Sequence, residues 1–333
     1  MLQDVRHQNP QTAADYTLSA TGTLAYVPAD AGAGEGRVLV WVDRSGAAAG
    51  RAVSEVVASA RDPRLSPDGQ RLVLTTGLPG DGELWSYDLR GRPPLRLAVA
   101  NDNRGGVWSP DGRQIAFLSI GAATGIRTLP ADGSALAPRP LPTEGVVGQP
   151  LAWSAAGELL FTTAPPNLSI RGVPTAVAGE VRDVVATDYA EFDAALSPDG
   201  RWLAYVSDRS GANEIWVQGF PDGVAVRVSQ NGGFEPRWSA DGRELFYLQF
   251  NAVLAVAVES EREFVFAAPV RLFNATQLFF FPGPAIRTYD VAPDGRFLMI
   301  QSEAATQPDA APSSIVVVQN WFEELRQRVP ARN

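Results

Sequence analysis

The chain has 333 residues, with 37 Asp and Glu against 28 Lys and Arg, one histidine and no cysteine, for a formal net charge of −9. That acidic balance argues against nucleic-acid binding, which leaves a basic footprint, and the missing thiols exclude disulfides, thiolate metal sites and cysteine nucleophiles. The lone His7 cannot build a histidine-based triad or a multi-histidine metal centre, and no apolar run reaches the roughly 18 residues that span a bilayer.

In chain order the first candidate element is a short strand, Leu2-Gln3-Asp4-Val5. The first 20 residues show no basic-then-apolar signal pattern. Beyond them one unit recurs seven times: a strand, a tight turn ending in Gly, and a second strand. The turns are Ser19-Ala20-Thr21-Gly22, Ser66-Pro67-Asp68-Gly69, Ser109-Pro110-Asp111-Gly112, Ser154-Ala155-Ala156-Gly157, Ser197-Pro198-Asp199-Gly200, Ser239-Ala240-Asp241-Gly242 and Ala292-Pro293-Asp294-Gly295. Pro pre-sets φ at the second turn position, and Gly accepts the left-handed conformation that closes the hairpin, so these residues read as corners with a structural role. Strand units recurring every roughly 40 to 50 residues are the signature of propeller blades.

Aligned on the glycine, the columns three and five residues after it are apolar or aromatic but for one Thr: Ala25, Leu72, Ile115, Leu160, Leu203, Leu245 and Leu298, then Val27, Leu74, Phe117, Thr162, Tyr205, Tyr247 and Ile300. A spacing of two is the β period, so both columns face the packing between blades. Third strands follow at residues 38–43, 83–88 and 214–218, and more polar fourth strands at 96–99 and 225–229. The last repeat supplies three strands, ending at Ser314-Ile315-Val316-Val317-Val318. Residues 2–5 are therefore expected to close the ring as the outer strand of that blade. Residues 320–329 follow with Asn320 as N-cap, Glu323 in a capping box, and Trp321, Phe322, Leu325 and Val329 on one face, which predicts a short C-terminal helix. The expectation is a single domain over 1–333: an all-β, seven-bladed propeller of four-stranded antiparallel blades, or a six-bladed one if the first or last repeat is not a blade.

The strings Trp108-Ser109-Pro110-Asp111-Gly112-Arg113-Gln114-Ile115-Ala116-Phe117 and Leu196-Ser197-Pro198-Asp199-Gly200-Arg201-Trp202-Leu203-Ala204-Tyr205 resemble blades of the TolB-like, WD40-like β-propeller family. More narrowly, Val40-Trp41-Val42-Asp43-Arg44, Tyr289-Asp290-Val291 and Asn320-Trp321-Phe322-Glu323-Glu324-Leu325 resemble the C-terminal propellers of bacterial eukaryotic-like serine/threonine kinases. The resemblance implies a sensor or interaction module on the extracytoplasmic side of a membrane-anchored kinase. The chain itself carries no Gly-rich loop, His-Arg-Asp loop or Asp-Phe-Gly, so it is not expected to phosphorylate anything. A free-standing periplasmic TolB-like scaffold is one alternative. A prolyl-oligopeptidase-like or lactonase-like propeller is another, although no Gly-x-Ser-x-Gly elbow and no Asp-x-Asp-x-Asp-Gly calcium loop occurs.

Seven and eight residues before the glycines stand Arg61, Asp62, Arg104, Gln149, Asp193, Glu235 and Arg287, where strands lead in from one mouth of the central channel. Two readings are open: a polar mouth that binds a peptide, a protein or a small polar ligand, or Arg-carboxylate pairs that tie blades together. Phe279, Phe280 and Phe281, in the longest repeat, either mark a partner surface or fill a lengthened blade. No catalytic residue, cofactor or metal is expected, no membrane insertion of this chain, and a monomer.

Overall fold

The computed structural model describes residues 16–19, 21–26, 36–77, 80–98, 100–135, 137–143, 146–166, 168–175, 179–260, 263–275, 287–303, 316–319 and 321, and every element among them is a β-strand. They fall into two compact units, residues 37–301 and residues 1–36 with 302–333.

The first unit is a propeller of six antiparallel blades. Blade 1 runs Arg61–Leu65, Arg71–Thr76, Glu83–Asp88 and Leu95–Ala98, from the channel outward, and blade 2 runs Asp102–Trp108, Gln114–Ile120, Gly125–Pro130 and Arg139–Pro140. Blade 3 runs Gly148–Trp153, Glu158–Thr163, Ile170–Pro174 and Arg182–Val185, and blade 4 runs Glu191–Leu196, Trp202–Ser207, Glu214–Gly219 and Val226–Arg227. In blade 5, Phe234–Trp238 and Glu244–Gln249 precede the long strand Ala252–Ser260, which pairs with both Val265–Phe266 and Val270–Asn274.

Blade 6 closes the ring. Its inner strands, Tyr289–Val291 and Phe297–Ser302, come late in the chain, and its outer strands, Gly36–Val42 and Ala48–Arg51, come early; Val57–Ala58 also pairs with Gly36–Val42. The strand Gly36–Val42 buries Val38, Leu39, Val40 and Val42. Side chains on both of its faces are thus out of water, as befits a strand with a neighbour on each side.

The expected count of seven blades is corrected to six. Seven turns do form, but the hairpin around Gly22 does not begin a blade. Its strands Tyr16–Leu18 and Leu24–Tyr26 form a three-stranded sheet with Val316–Val318, in the register Leu24↔Val318 and Tyr26↔Val316, and this sheet belongs to the second unit. The strand expected to follow that hairpin, Gly36–Val42, joins the hairpin around Gly295 instead. Closure does join early and late segments of the chain in one sheet, but through different strands than expected: Val316–Val318 is not the third strand of the last blade. Residues 2–5 lie outside the described residues, as does the expected helix at 320–329 apart from Trp321, whose backbone N–H donates to Gly22 O at 2.7 Å.

The recurring corners are built as their chemistry requires. In blade 1 the Ser66 hydroxyl donates to Asp68 and accepts the Arg71 N–H at 2.9 Å, while Gly69 N donates to Ser66 O at 2.8 Å. The same bonds recur around Ser109, Ser197 and Ser239. Gly69 sits at φ +67°, and a Cβ there would lie 2.7 Å from Pro293 of the neighbouring corner, so only glycine fits. The glycine-aligned columns are fully buried: Leu72, Ile115, Leu160, Leu203, Leu245 and Leu298 are all 0% exposed.

Candidate binding face and channel wall

Each inner strand of blades 1 to 5 carries a one-residue register shift, between Arg61 and Arg64, Arg104 and Val107, Pro150 and Ala152, Phe192 and Ala195, and Phe234 and Arg237. These are β-bulges, which re-aim side chains at the rims of sheets. At the same register Asp62, Asp193 and Glu235 hold φ of +55°, +51° and +51°, and blade 2 puts Gly105 there at +64°. A left-handed Glu is locally costly, so the surrounding contacts must hold it.

Those contacts cross between blades. Asp62 of blade 1 accepts the Arg287 N–H at 2.9 Å, and Arg287 O accepts the Asp62 N–H at 3.1 Å. Glu235 of blade 5 accepts from Thr288 twice, from the backbone N–H at 2.8 Å and from the hydroxyl at 2.9 Å, and the Tyr289 hydroxyl donates to Glu235 O at 2.8 Å. The Arg287 guanidinium reaches across the channel to Ala194 O of blade 4 at 3.0 Å and lies 3.4 Å from Asp193. Arg64 likewise spans from blade 1 to Leu151 O of blade 3 at 2.6 Å.

Three members of this wall, Arg64, Arg237 and Asp290, were not among the residues the sequence marked. They stand five residues before Gly69, Gly242 and Gly295, where blades 2, 3 and 4 have Val107, Ala152 and Ala195. A column holding three charged residues beside three apolar ones was the available signal. Arg237, 4% exposed at its side chain, presents Nη1 to Asp193 at 3.8 Å, Nη2 to Glu235 at 3.9 Å and Nε to Asp290 at 3.8 Å. All 28 basic residues of the chain are arginine, the side chain whose fixed fork of donors can face several acceptors at once.

Burial sets the electrostatics. It pushes the Asp62 carboxyl up, and burial with the adjacent Asp193 charge pushes Glu235 up to about 7. Burial, aided by Arg237, pulls Arg287 down to about 10. Arg237 is also desolvated, but the carboxylates and Tyr289 around it outweigh that loss and raise it.

Arg61 and Arg104 belong to a separate group. Both lie by Asp102: Arg61 at 3.9 Å, and Arg104 through a bond from Nε at 2.8 Å. Asp102 also accepts the Gly80 and Gly82 N–H groups at 3.0 and 2.9 Å, and Arg61 donates to Gly77 O, so the group pins the turn between two strands of blade 1. Gln149 packs against the Gly105 backbone, where any Cβ would come within 2.6 Å of its amide nitrogen. Of the seven residues marked by the sequence, Arg104 is the most open, with a third of its side chain exposed. The other six are buried.

Two aromatics are exposed at this end of the channel, among polar loop residues such as Asp188, Asn231 and Asn251. Tyr189, in the segment leading into blade 4, is 51% exposed, and Phe250 is 74% exposed in the two-residue turn between Gln249 and Ala252 of blade 5. Phe250 holds φ of +51° there, a position that tight hairpins give to Asn or Gly. Residues Phe279, Phe280 and Phe281 lie outside the described residues.

No protein-family model matches the chain. Over 73 residues, 22% of the chain, it is 40% identical to the Tol-Pal system protein TolB of Anaeromyxobacter dehalogenans, and the match spans 17% of that relative's length. It is 27% identical over 167 residues, 47% of the chain, to the uncharacterized peptidase YuxL of Bacillus subtilis, spanning 24% of that protein. A solved structure described as a TolB from Agrobacterium tumefaciens superposes with a TM-score of 0.61 at 19% identity, covering 80% of this chain and 98% of that one. These similarities show a TolB-like β-propeller fold.

Proposed function

We propose that this chain is a non-catalytic binding module that holds a protein or peptide partner at the channel end carrying Arg104, Tyr189 and Phe250. The observation that carries the reading is the contrast at that end. The channel charges are spent on one another across blades, while two aromatics stand in solvent and Arg104, though bonded to Asp102, keeps a third of its side chain exposed; aromatics and arginine are the residue types that dominate protein contacts. Phe250 adds weight, because a left-handed turn position is a costly place for an exposed aromatic unless it has a use. The likeness to TolB supports a scaffold role, and the kinase-propeller strings support a sensor on the extracytoplasmic side of a membrane-anchored serine/threonine kinase, acting as a monomer. Among the described residues no helix is long and apolar enough to cross a membrane, so such an anchor would lie elsewhere in the protein. The peptidase relative keeps a second reading in view, in which the propeller serves a hydrolase domain.

A phage-displayed library of random dodecamer peptides, selected on the chain, tests the binding face. Selected peptides should lose at least about tenfold in affinity with Tyr189→Ala or Phe250→Ala while the melting temperature stays within about 2 °C. Peptides indifferent to Arg104→Ala, Tyr189→Ala and Phe250→Ala alike would place binding elsewhere. Turnover of ester, lactone or peptide substrates by the isolated chain would overturn the non-catalytic reading. Kinase motifs and a membrane helix in the same reading frame would support the sensor assignment.

A further inference from the structure

Blade 3 seats a carboxylate of its own at a place that blade 2 leaves open. In blade 3 the second strand begins at Glu158, whose backbone O accepts the Ser154 N–H across the corner at 2.8 Å. Glu158 pairs with Pro174 of the third strand, and Gly172 of that strand pairs with Arg182 of the outer one. The Arg182 guanidinium holds the Glu158 carboxylate with two bonds, from Nε at 2.6 Å and from Nη2 at 2.8 Å. Blade 2 repeats this register. Gln114 O accepts the Ser109 N–H at 2.9 Å, Gln114 pairs with Pro130, and Thr128 pairs with Arg139. Gln114 thus stands where blade 3 has its glutamate, and Arg139 where it has Arg182. With an uncharged amide in place of the acid, the exposed Arg139 side chain makes no hydrogen bond or ion pair among the described residues.

Arg139 borders a cleft of about 600 Å³ at the corner end of blade 2, a size in the range of small-ligand sites. Two more arginines line it. Arg71 of blade 1 is fixed by a bond from Nη2 to Gly112 O at 2.7 Å and by stacking on the Trp108 ring at 4.6 Å. Arg113 follows the corner glycine, where Arg201 and Arg296 bond the aspartates of their own corners at 2.6 and 2.7 Å. Arg113, like Arg243, leaves that bond unmade among the described residues. Two acids share the cleft, each with Oδ1 committed to its own turn: Asp111 to the Ser109 hydroxyl and the Arg113 N–H, Asp132 to the Ser134 N–H. Asp68 of the neighbouring corner also acts on Arg71. These carboxylates disfavour a dianion such as phosphate, and they leave Arg113 and Arg139 as the forks open to a single negative charge.

We propose that this cleft binds the C-terminal carboxylate of a peptide, held by Arg139 and Arg113 as Arg182 holds Glu158. The last side chain of the peptide lies against the apolar wall of Leu129, Pro130 and Ala131, and Oδ2 of Asp111 and of Asp132 accept its backbone N–H groups. In blade 3 a Cβ at Gly172 would come within 2.2 Å of the Glu158 carboxylate. Blade 2 has Thr128 at that position, so the carboxylate of the peptide seats further out along the Arg139 fork. Corners lie at the opposite end of the strands from Tyr189 and Phe250, so this site is independent of the face proposed above.

Titration calorimetry of the full chain with N-acetyl-Ala-Ala-X tripeptides, X being Ala, Val, Leu or Phe, tests it, each peptide being used as the free acid and as the C-terminal amide. At least one acid should bind with a Kd of about 1 mM or tighter, and its amide at least about tenfold more weakly. Arg113→Ala and Arg139→Ala, both at exposed side chains, should each weaken the acid at least about fivefold. Gln114→Glu keeps the side chain's shape and installs the acid of blade 3 beside Arg139, so it should abolish binding. It changes nothing at the channel mouth, and its effect belongs to the cleft alone. Acids and amides that bind alike, acids indifferent to Gln114→Glu and Arg139→Ala, or no binding of any acid at about 1 mM would each overturn the proposal. N-acetylleucine binding as tightly as the tripeptides would overturn the assignment to a peptide.

Discussion

Arg287→Ala is expected to destabilise the propeller by about 3–5 kcal/mol, which for a chain of this length is a fall of roughly 6 to 15 °C in Tm. The guanidinium is 6% exposed, lies 3.4 Å from Asp193, and donates to Ala194 O at 3.0 Å. Its removal leaves Asp193 buried with only the longer contact to Arg237 at 3.8 Å, and leaves a void where the side chain crossed the channel. The cost is that of stranding a charge rather than of losing an attraction. Arg287→Met combined with Asp193→Asn should therefore recover at least half of the loss, because it removes both charges and fills the space. Calorimetry of the two variants checks this. A fall below about 2 °C in Arg287→Ala would mean that water replaces the guanidinium freely.

Phe297→Ala is expected to cost about 3–5 kcal/mol as well, by a different route. Phe297 is 0% exposed in the closing blade. Its ring meets Phe246 and Phe273 of blade 5 edge-on, with centroids 5.1 and 5.4 Å away, and Tyr289 of its own blade at 6.3 Å. Interiors are close-packed, so the ring's volume becomes a cavity that these neighbours cannot fully collapse into. Urea unfolding should show a lower midpoint at unchanged slope, whereas Val224→Ala, 87% exposed, should shift the midpoint by no more than about 0.5 kcal/mol equivalent. A Phe297→Ala loss no larger than that of Val224→Ala would show that the seam between blades 5 and 6 is loosely packed.

Much of this fold is local, and local structure is legible. The corner at Ser66-Pro67-Asp68-Gly69 satisfies its own hydrogen bonds within six residues, so its sequence dictates its shape. The columns at Leu72 and Leu74 obey a period of two and are buried as that period requires. What the sequence does not display is which hairpin an apolar strand will join. Residues 38–42 look alike as the third strand of the hairpin before them or as the outer half of a blade begun some 250 residues later, and long-range pairing decides. Counting corners therefore counted hairpins, and one hairpin forms a sheet of its own with Val316–Val318.

The candidate site divides along the same line. Register alone brought Asp62, Asp193, Glu235 and Arg287 to one end of the channel, because each blade repeats its neighbour. It passed over Arg64, Arg237 and Asp290, which complete the cluster two residues further along the strands. The bulge was hidden too, since its mark is a left-handed backbone at Asp62, Asp193 and Glu235, and Asp and Glu do not announce that conformation as Gly105 does. Phe250 was overlooked for the same reason: a two-residue hairpin turn written Phe-Asn does not carry the usual Asn-Gly signal.

Native-state hydrogen exchange tests ring closure most directly. If the ring is shut by a blade drawn from two distant parts of the chain, amides of the strands Gly36–Val42 and Phe297–Ser302 should exchange together, among the slowest in the protein and at the rate of global unfolding. Exchange of Gly36–Val42 orders of magnitude ahead of Phe297–Ser302 would contradict a shared closing blade.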